Sequence, residues 1–291
     1  MTDSLSDVYQ GFTYRTDTAF REQHDHRYSI QKIVDFCISL FRQMQFSLIF
    51  LYNRFFLSIS WCSELNVQKS DSKGLVVLLH GLRSDPVAWY CQLGILQKYE
   101  KIEVYAPTVT KRGLCSRNEA AEPILDLLVN YTQQHPGKPI CLLGHSNGSR
   151  LVAWLEIQLR ERAPKTPIKV STIAGVLLGS SQMDRLEEVG LAERFYPEAL
   201  RQELKFGSET AKDLLGQLSS DLSDGCAERD YEFFATTEDL SVPDLNSSLP
   251  RINRNERFHI LHGHSHDSII TAVAQQQIDS CVSWIDERVC Y

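Results

Sequence analysis

The pentapeptide Gly144-His145-Ser146-Asn147-Gly148 sets a serine between two glycines, each two positions away. Ahead of it Ile140 to Leu143 is an apolar run of buried-strand type, and behind it Leu151, Trp154, Leu155 and Leu159 recur at helical spacing. A serine at the apex of a sharp strand-to-helix turn sits in strained backbone, so the residues at two positions either side must be small. Such a turn lifts a hydroxyl clear of the fold as a nucleophile. A serine hydroxyl attacks poorly at neutral pH, so this chemistry also requires an imidazole to take its proton and a carboxylate to orient the imidazole.

Both companions are offered late in the chain. The apolar run Tyr231 to Ala235 leads into Thr236-Thr237-Glu238-Asp239, which supplies two carboxylates. The strand-like run Phe258 to Leu261 leads into His262-Gly263-His264-Ser265-His266-Asp267, which supplies three imidazoles. Near the start of the folded part, Leu75 to Leu79 is followed by His80-Gly81-Leu82. A glycine after a buried strand lets the backbone turn so that the next amide faces a cleft, which is how an oxyanion hole is assembled.

The segments Leu78-Leu79-His80-Gly81-Leu82 and Gly144-His145-Ser146-Asn147-Gly148 together resemble the α/β-hydrolase superfamily, in particular its serine esterases and lipases, over residues 74 to 291. The resemblance implies that Ser146 is the nucleophile and that the backbone amides of Leu82 and Asn147 bind the oxyanion. The family's chain order of serine, acid, histidine and its Asp-x-x-Val-Pro turn make Asp239 the acid, with Glu238 the alternative. The family's base is often followed by a small or acidic residue and then apolar positions that open the final helix, as Asp267, Ser268, Ile269 and Ile270 do here, so the resemblance implies His266 as the base, with His264 the alternative and His262 a third choice. His80 is read as part of the turn. The implied reaction is hydrolysis of a carboxylic ester through an acyl-enzyme, with no metal or organic cofactor.

Two rival readings come from other classes. His262, His264 and His266 alternate as metal ligands do in an extended segment. They nearly match the His-x-His-x-Asp-His signature of metallo-β-lactamase-like hydrolases, but the last Asp and His are reversed and the segment lies near the end of the chain. The other rival is a hydrolase fold that has lost its activity and serves as a binding module. A competent residue at every catalytic position argues against it.

The elements that must position these residues follow from patterning. Strand-like runs at Leu75–Leu79, Val104–Ala106, Ile140–Leu143, Ile173–Leu178, Tyr231–Ala235 and Phe258–Leu261 alternate with helical stretches at 88–99, 118–134 and from 150 onward. That rhythm requires an α/β fold, a mostly parallel central sheet flanked by helices. A leucine-rich stretch at about 184–226 interrupts it and reads as an inserted helical cap, with plain connecting helices as the alternative. Residues 1–73 read as a helical N-terminal extension with a linker, and 74–291 as the hydrolase domain.

In the extension, residues 1 to about 28 are polar, and Ile30, Ile33, Val34, Cys37, Ile38 and Phe41 repeat at helical spacing. From Phe46 to Trp61 the helix is apolar on most faces, with Arg42 and Arg54 interrupting any long apolar run. It therefore reads as a helix packed on the core, or as an interfacial one giving peripheral membrane contact through residues 30–61, and not as a span. An aromatic-rich helix and a leucine-rich cap point to lipid-like or long-chain acyl esters, with a small soluble ester as the alternative.

Composition sets the outer limits. A chain of 291 residues, 43% hydrophobic, can bury a full core. A net charge of −7 argues against a nucleic-acid partner, which needs a basic face. The 8 cysteines form no Cys-x-x-Cys pair and read as free thiols. The acidic start Met-Thr-Asp-Ser-Leu-Ser-Asp lacks the basic-then-apolar order of a signal peptide, so a cytoplasmic location is expected. The oligomeric state is left open.

Overall fold

The computed structural model describes residues 25–56 and 71–289. Helix α1 (Ser29–Phe56) precedes an alternation of strands and helices: β1 (Gly74–Leu79), α2 (Tyr90–Leu96), β2 (Ile102–Tyr105), α3 (Arg117–Gln134), β3 (Ile140–His145) and α4 (Asn147–Arg162). After β4 (Ile168–Ile173) come α5 (Ser181–Glu188), α6 (Ala192–Phe195), α7 (Glu198–Leu204) and α8 (Glu209–Ser219). The chain closes with β5 (Arg229–Thr236), α9 (Leu245–Ser248), β6 (Glu256–Leu261) and α10 (Ser268–Val289).

The six strands form one sheet in the order β2-β1-β3-β4-β5-β6, every neighbouring pair parallel. Strands covered on both faces read as continuous apolar runs, and β1 and β3 are buried at all six positions each. Alternate residues divide into two core layers. Val77, Leu79, Leu142 and Val170 face Leu128, Leu151, Leu155 and Leu218, whereas Val76, Leu78, Leu143 and Phe234 face Trp89, Leu93, Ile278 and Trp284.

The strand order reverses at β1, whose neighbours are β2 on one side and β3 on the other. At such a switch point the loops leaving the strands splay apart and open a crevice at their carboxyl ends. Leu79 pairs with Gly144, so the His80-Gly81-Leu82 turn and Ser146 emerge side by side into that crevice.

The helical stretch between β4 and β5 divides in two. Met183, Ala192, Leu200 and Leu204 form a small apolar cluster with Val176 and Val242, apart from the main core. Leu214, Leu215 and Leu218 of α8 belong instead to the core layer under the sheet. Cys37, Cys91, Cys115, Cys141, Cys226 and Cys281 are free thiols, while Cys62 and Cys290 lie outside the described residues.

Two expectations of detail are corrected. The fourth strand is Ile168–Ile173 and not Ile173–Leu178. Ala174 has φ 48° and Gly175 follows, which ends the strand where the apolar run seemed to start. The true strand was hidden by polar residues that are buried in pairs. Lys169, wholly buried, reaches Asp230 at 2.8 Å and Glu232 at 3.4 Å, and Ser171 accepts from Gln277 at 2.9 Å. Likewise the helix expected at 88–99 is a 3-10 turn, Pro86–Trp89, followed by α2.

Replacing Lys169 by alanine strands two carboxylates in the core. Arg257 and His259 still reach them, so the loss expected in urea denaturation is near the low end for broken buried pairs, about 3 kcal/mol. A loss under about 1 kcal/mol would show that those two partners suffice.

Candidate active site

Ser146 caps the junction of β3 and α4 with φ 54° and ψ −123°, a conformation that L residues rarely adopt. Its surroundings hold it there. A Cβ on Gly148 would lie 2.0 Å from the Leu79 carbonyl oxygen, and one on Gly144 would lie 2.6 Å from the Gly148 carbonyl oxygen. The Ser146 N–H donates to Ile173 O at 3.0 Å, and Ser149 Oγ donates to Gly144 O at 3.1 Å. A Cβ on Gly81 would meet Ser146 Cβ at 2.9 Å, so the turn after β1 lies directly against the serine.

His80 shapes that turn. Its Nδ1–H donates to Gly81 O at 2.8 Å, and its Nε2 accepts from the Val109 N–H at 3.0 Å. Burial pushes its pKa down, so the neutral ring keeps both bonds. In a trans peptide the C=O and N–H point opposite ways, so gripping Gly81 O also sets the direction of the Leu82 N–H. Asn147 opens α4, where the first N–H groups have no acceptor within the helix. Leu82 and Asn147 both line the same cleft as Ser146.

The structure brings Asp239 and His266 together. His266 Nδ1 donates to Asp239 Oδ2 at 2.7 Å, and Asp239 Oδ1 accepts from the N–H groups of Ser241 and Val242, both at 2.8 Å. Burial alone would lower the pKa of His266, but the Asp239 charge and hydrogen bond, helped by Asp267, outweigh it and lift it to about 9. Glu238 is turned elsewhere: it pairs with Arg27 at 2.8 Å and accepts from Gly263 N and Thr237 Oγ1 at 2.6 and 2.7 Å.

The other two histidines also point away. His262 Nδ1 meets Thr237 Oγ1 at 2.8 Å, and His264 Nε2 accepts from Arg42 Nη1 at 2.8 Å. Burial and then the Arg42 charge push His264 down to about 4. The metal-centre reading of His262, His264 and His266 thus loses its convergence. Among the described residues the group of ligating atoms that does converge, within 4.8 Å, is His145, His266 and Asp267.

His145 was overlooked as one of the variable positions of the pentapeptide. Its Nε2–H donates to the His266 carbonyl at 3.0 Å, and the two rings lie 4.8 Å apart. Burial and the neighbouring His266 hold it near 4, so it stays neutral beside a charged ring. The cleft itself, about 450 Å³, is lined by these polar groups and by Val176, Met183, Leu186, Tyr196 and Leu204, with Leu240 at 61% exposure.

A six-stranded parallel sheet with a strained serine elbow at its switch point defines a hydrolase-type α/β architecture. Residues 76–287, more than half of the chain, match the Alpha/beta hydrolase family, and the chain belongs to that family. No curated protein matches the chain by sequence. Among solved structures, one of two metagenome-derived lipolytic enzymes, LipS and LipT, superposes with a TM-score of 0.54 at 14% identity, covering 75% of this chain and 95% of its own. A monoacylglycerol lipase of Paleococcus ferrophilus gives 0.47 at 16%, covering 75% and 95%, and a polyneuridine aldehyde esterase 0.44 at 14%, covering 73% and 99%. At such identities the likeness is one of fold. Helix α1 precedes the matched segment.

The raised His266 pKa links folding to pH. A folded value of about 9 against an ordinary 6.5 means that the pair stabilises fully below about pH 6.5 and ceases to do so as pH rises through 9. Asp239→Asn should therefore lower the thermal midpoint more at pH 6 than at pH 10. By NMR it should return the His266 titration to or below 6.5; an unmoved titration would detach His266 from Asp239.

Proposed function

We propose that the protein is a serine hydrolase of carboxylic esters, with Ser146 as nucleophile, His266 as base and Asp239 as the acid that orients it. The observation that carries this reading is the 2.7 Å His266–Asp239 bond in a cleft that also holds the strained Ser146. In acylation Ser146 Oγ bonds to the ester carbonyl carbon while its proton passes to His266 Nε2. The carbonyl oxygen becomes an oxyanion facing the amides of Leu82 and Asn147, each worth roughly 3 kcal/mol of barrier. His266 then gives its proton to the departing alcohol as the C–O bond breaks. A water attacks the acyl-enzyme, loses its proton to His266, and releases the acid and free Ser146.

Asp239 has a second effect here. By stabilising the imidazolium it favours the species formed in each tetrahedral step, but it also keeps His266 protonated at neutral pH in the free protein. The rising limb of kcat/KM should therefore extend to about pH 9.

The substrate class proposed is a lipid-like or long-chain acyl ester, supported by the apolar wall of Val176, Met183, Leu186 and Leu204. The N-terminal helix supports membrane contact through residues 30–61, of which 57–61 lie outside the described residues. Ser29–Phe55 is long and apolar enough to cross a membrane by length and composition, a stronger apolar character than Arg42 and Arg54 led one to expect.

Labelling with a fluorophosphonate probe tests the nucleophile. Wild type should label and Ser146→Ala should not, with turnover of p-nitrophenyl esters falling on the order of 10⁶-fold. Activity should rise with acyl chain length. Full labelling of the alanine variant would reject Ser146.

A further inference from the structure

An amphipathic helix of a globular protein turns an apolar stripe to the core and polar side chains to water. Helix α1 does the reverse. Its inward stripe carries Asp35, Ser39, Arg42 and Gln43 beside Phe46 and Phe50, whereas Ile33, Phe41, Met44, Leu48, Tyr52 and Phe55 are exposed.

The inward polar groups are not scattered in their partners. Gln43 Nε2 donates to Asp267 Oδ2 at 2.8 Å, and its Oε1 accepts from Ser265 Oγ, so one side chain holds the residues on both sides of His266. Arg42 Nη1 donates to Gly263 O at 2.7 Å and to His264. Arg27, just before the helix, donates to Thr237 Oγ1 at 2.7 Å and pairs with Glu238, the two residues that precede Asp239. Asp267 also lines the cleft, so Gln43 of α1 grips a residue of its wall from behind.

We propose that the outer face of α1 seats on a lipid bilayer and that its polar seam couples this seating to the loops carrying His266 and Asp239, making hydrolysis dependent on a lipid surface. This rests on the esterase reading of the site. A bilayer suits the face better than a folded partner does: 28 residues at 1.5 Å each run about 42 Å with no groove to match. Near its two ends Lys32 and Arg54 pair with Asp25 at 3.5 Å and Asp85 at 3.4 Å, which leaves the exposed aliphatic and aromatic middle as the part that enters the acyl boundary. The helix lies on the membrane and does not cross it, because crossing would strip Arg42 and Gln43 from their partners and leave them in hydrocarbon.

The test uses the full chain with phosphatidylcholine vesicles and a short, soluble p-nitrophenyl ester. Wild type should float with the vesicles, and its kcat should rise several-fold with KM little changed. Phe41→Asp combined with Leu48→Asp should abolish flotation and the rise together. Gln43→Leu should still float but lose the rise, and its pH profile should shift, since Asp267 beside His266 loses a donor. Flotation without any change in kcat, a rise that survives in Gln43→Leu, or a dimer held through α1 in place of flotation would each overturn the proposal. Ser146-dependent activity that ignores vesicles would sink this proposal alone, whereas absent labelling of wild type would sink the esterase reading beneath it.

Discussion

Everything in the cleft depends on how closely β1 and the start of α4 can approach. The Leu79 carbonyl occupies the space that any side chain at 148 would need, at 2.0 Å from its first carbon. That contact fixes the elbow against the end of β1 and leaves Ser146 in a backbone region of unfavourable energy. The strain, of order 1–3 kcal/mol at such positions, persists because parallel pairing of β1 with β3 and β3 with β4 over-determines it. The same approach carries Gly81 to the serine, so one packing constraint positions both Ser146 and the turn that faces it.

A second layer of organisation is electrostatic. Three titratable groups, His145, His266 and Asp267, crowd one end of the cleft, and His266 is further bound to Asp239. Burial, and then the charge of His266, drive His145 to the neutral state although Asp267 lies 4.0 Å from its Nε2. Its remaining role is geometric: it donates to the backbone carbonyl of His266.

The elbow, the His80 turn and the Asp239 and His266 loops were legible in the sequence because each is a local pattern, a small-residue turn or a polar cluster at the end of an apolar run. What stayed hidden depends on contacts between distant segments. Lys169 and Ser171 fall outside the strand that apolar patterning marks, since nothing nearby in the sequence shows that Asp230 and Gln277 will satisfy them. Arg42 reads only as a break in the apolar run, and Arg27 and Gln43 carry no signal at all, because periodicity shows which residues share a face but not whether that face meets water or protein. His145 looked like a free position, as its role depends on a backbone carbonyl 121 residues away.

The buried Lys169 also distinguishes one strand from another. β1 and β3 are runs of Leu, Val, Ile and Cys that could pair with several neighbours at similar energy, and apolar side chains tolerate such errors. Lys169 sits directly opposite Asp230 in the ladder, with Glu232 two residues further on the same face. A slip of one residue would turn the ammonium away from both acids, in a core that offers it no water. Among interchangeable hydrophobic strands, this ion triad works as an address label: it admits β4 beside β5 in a single alignment and so decides where in the sheet the Asp239 loop begins.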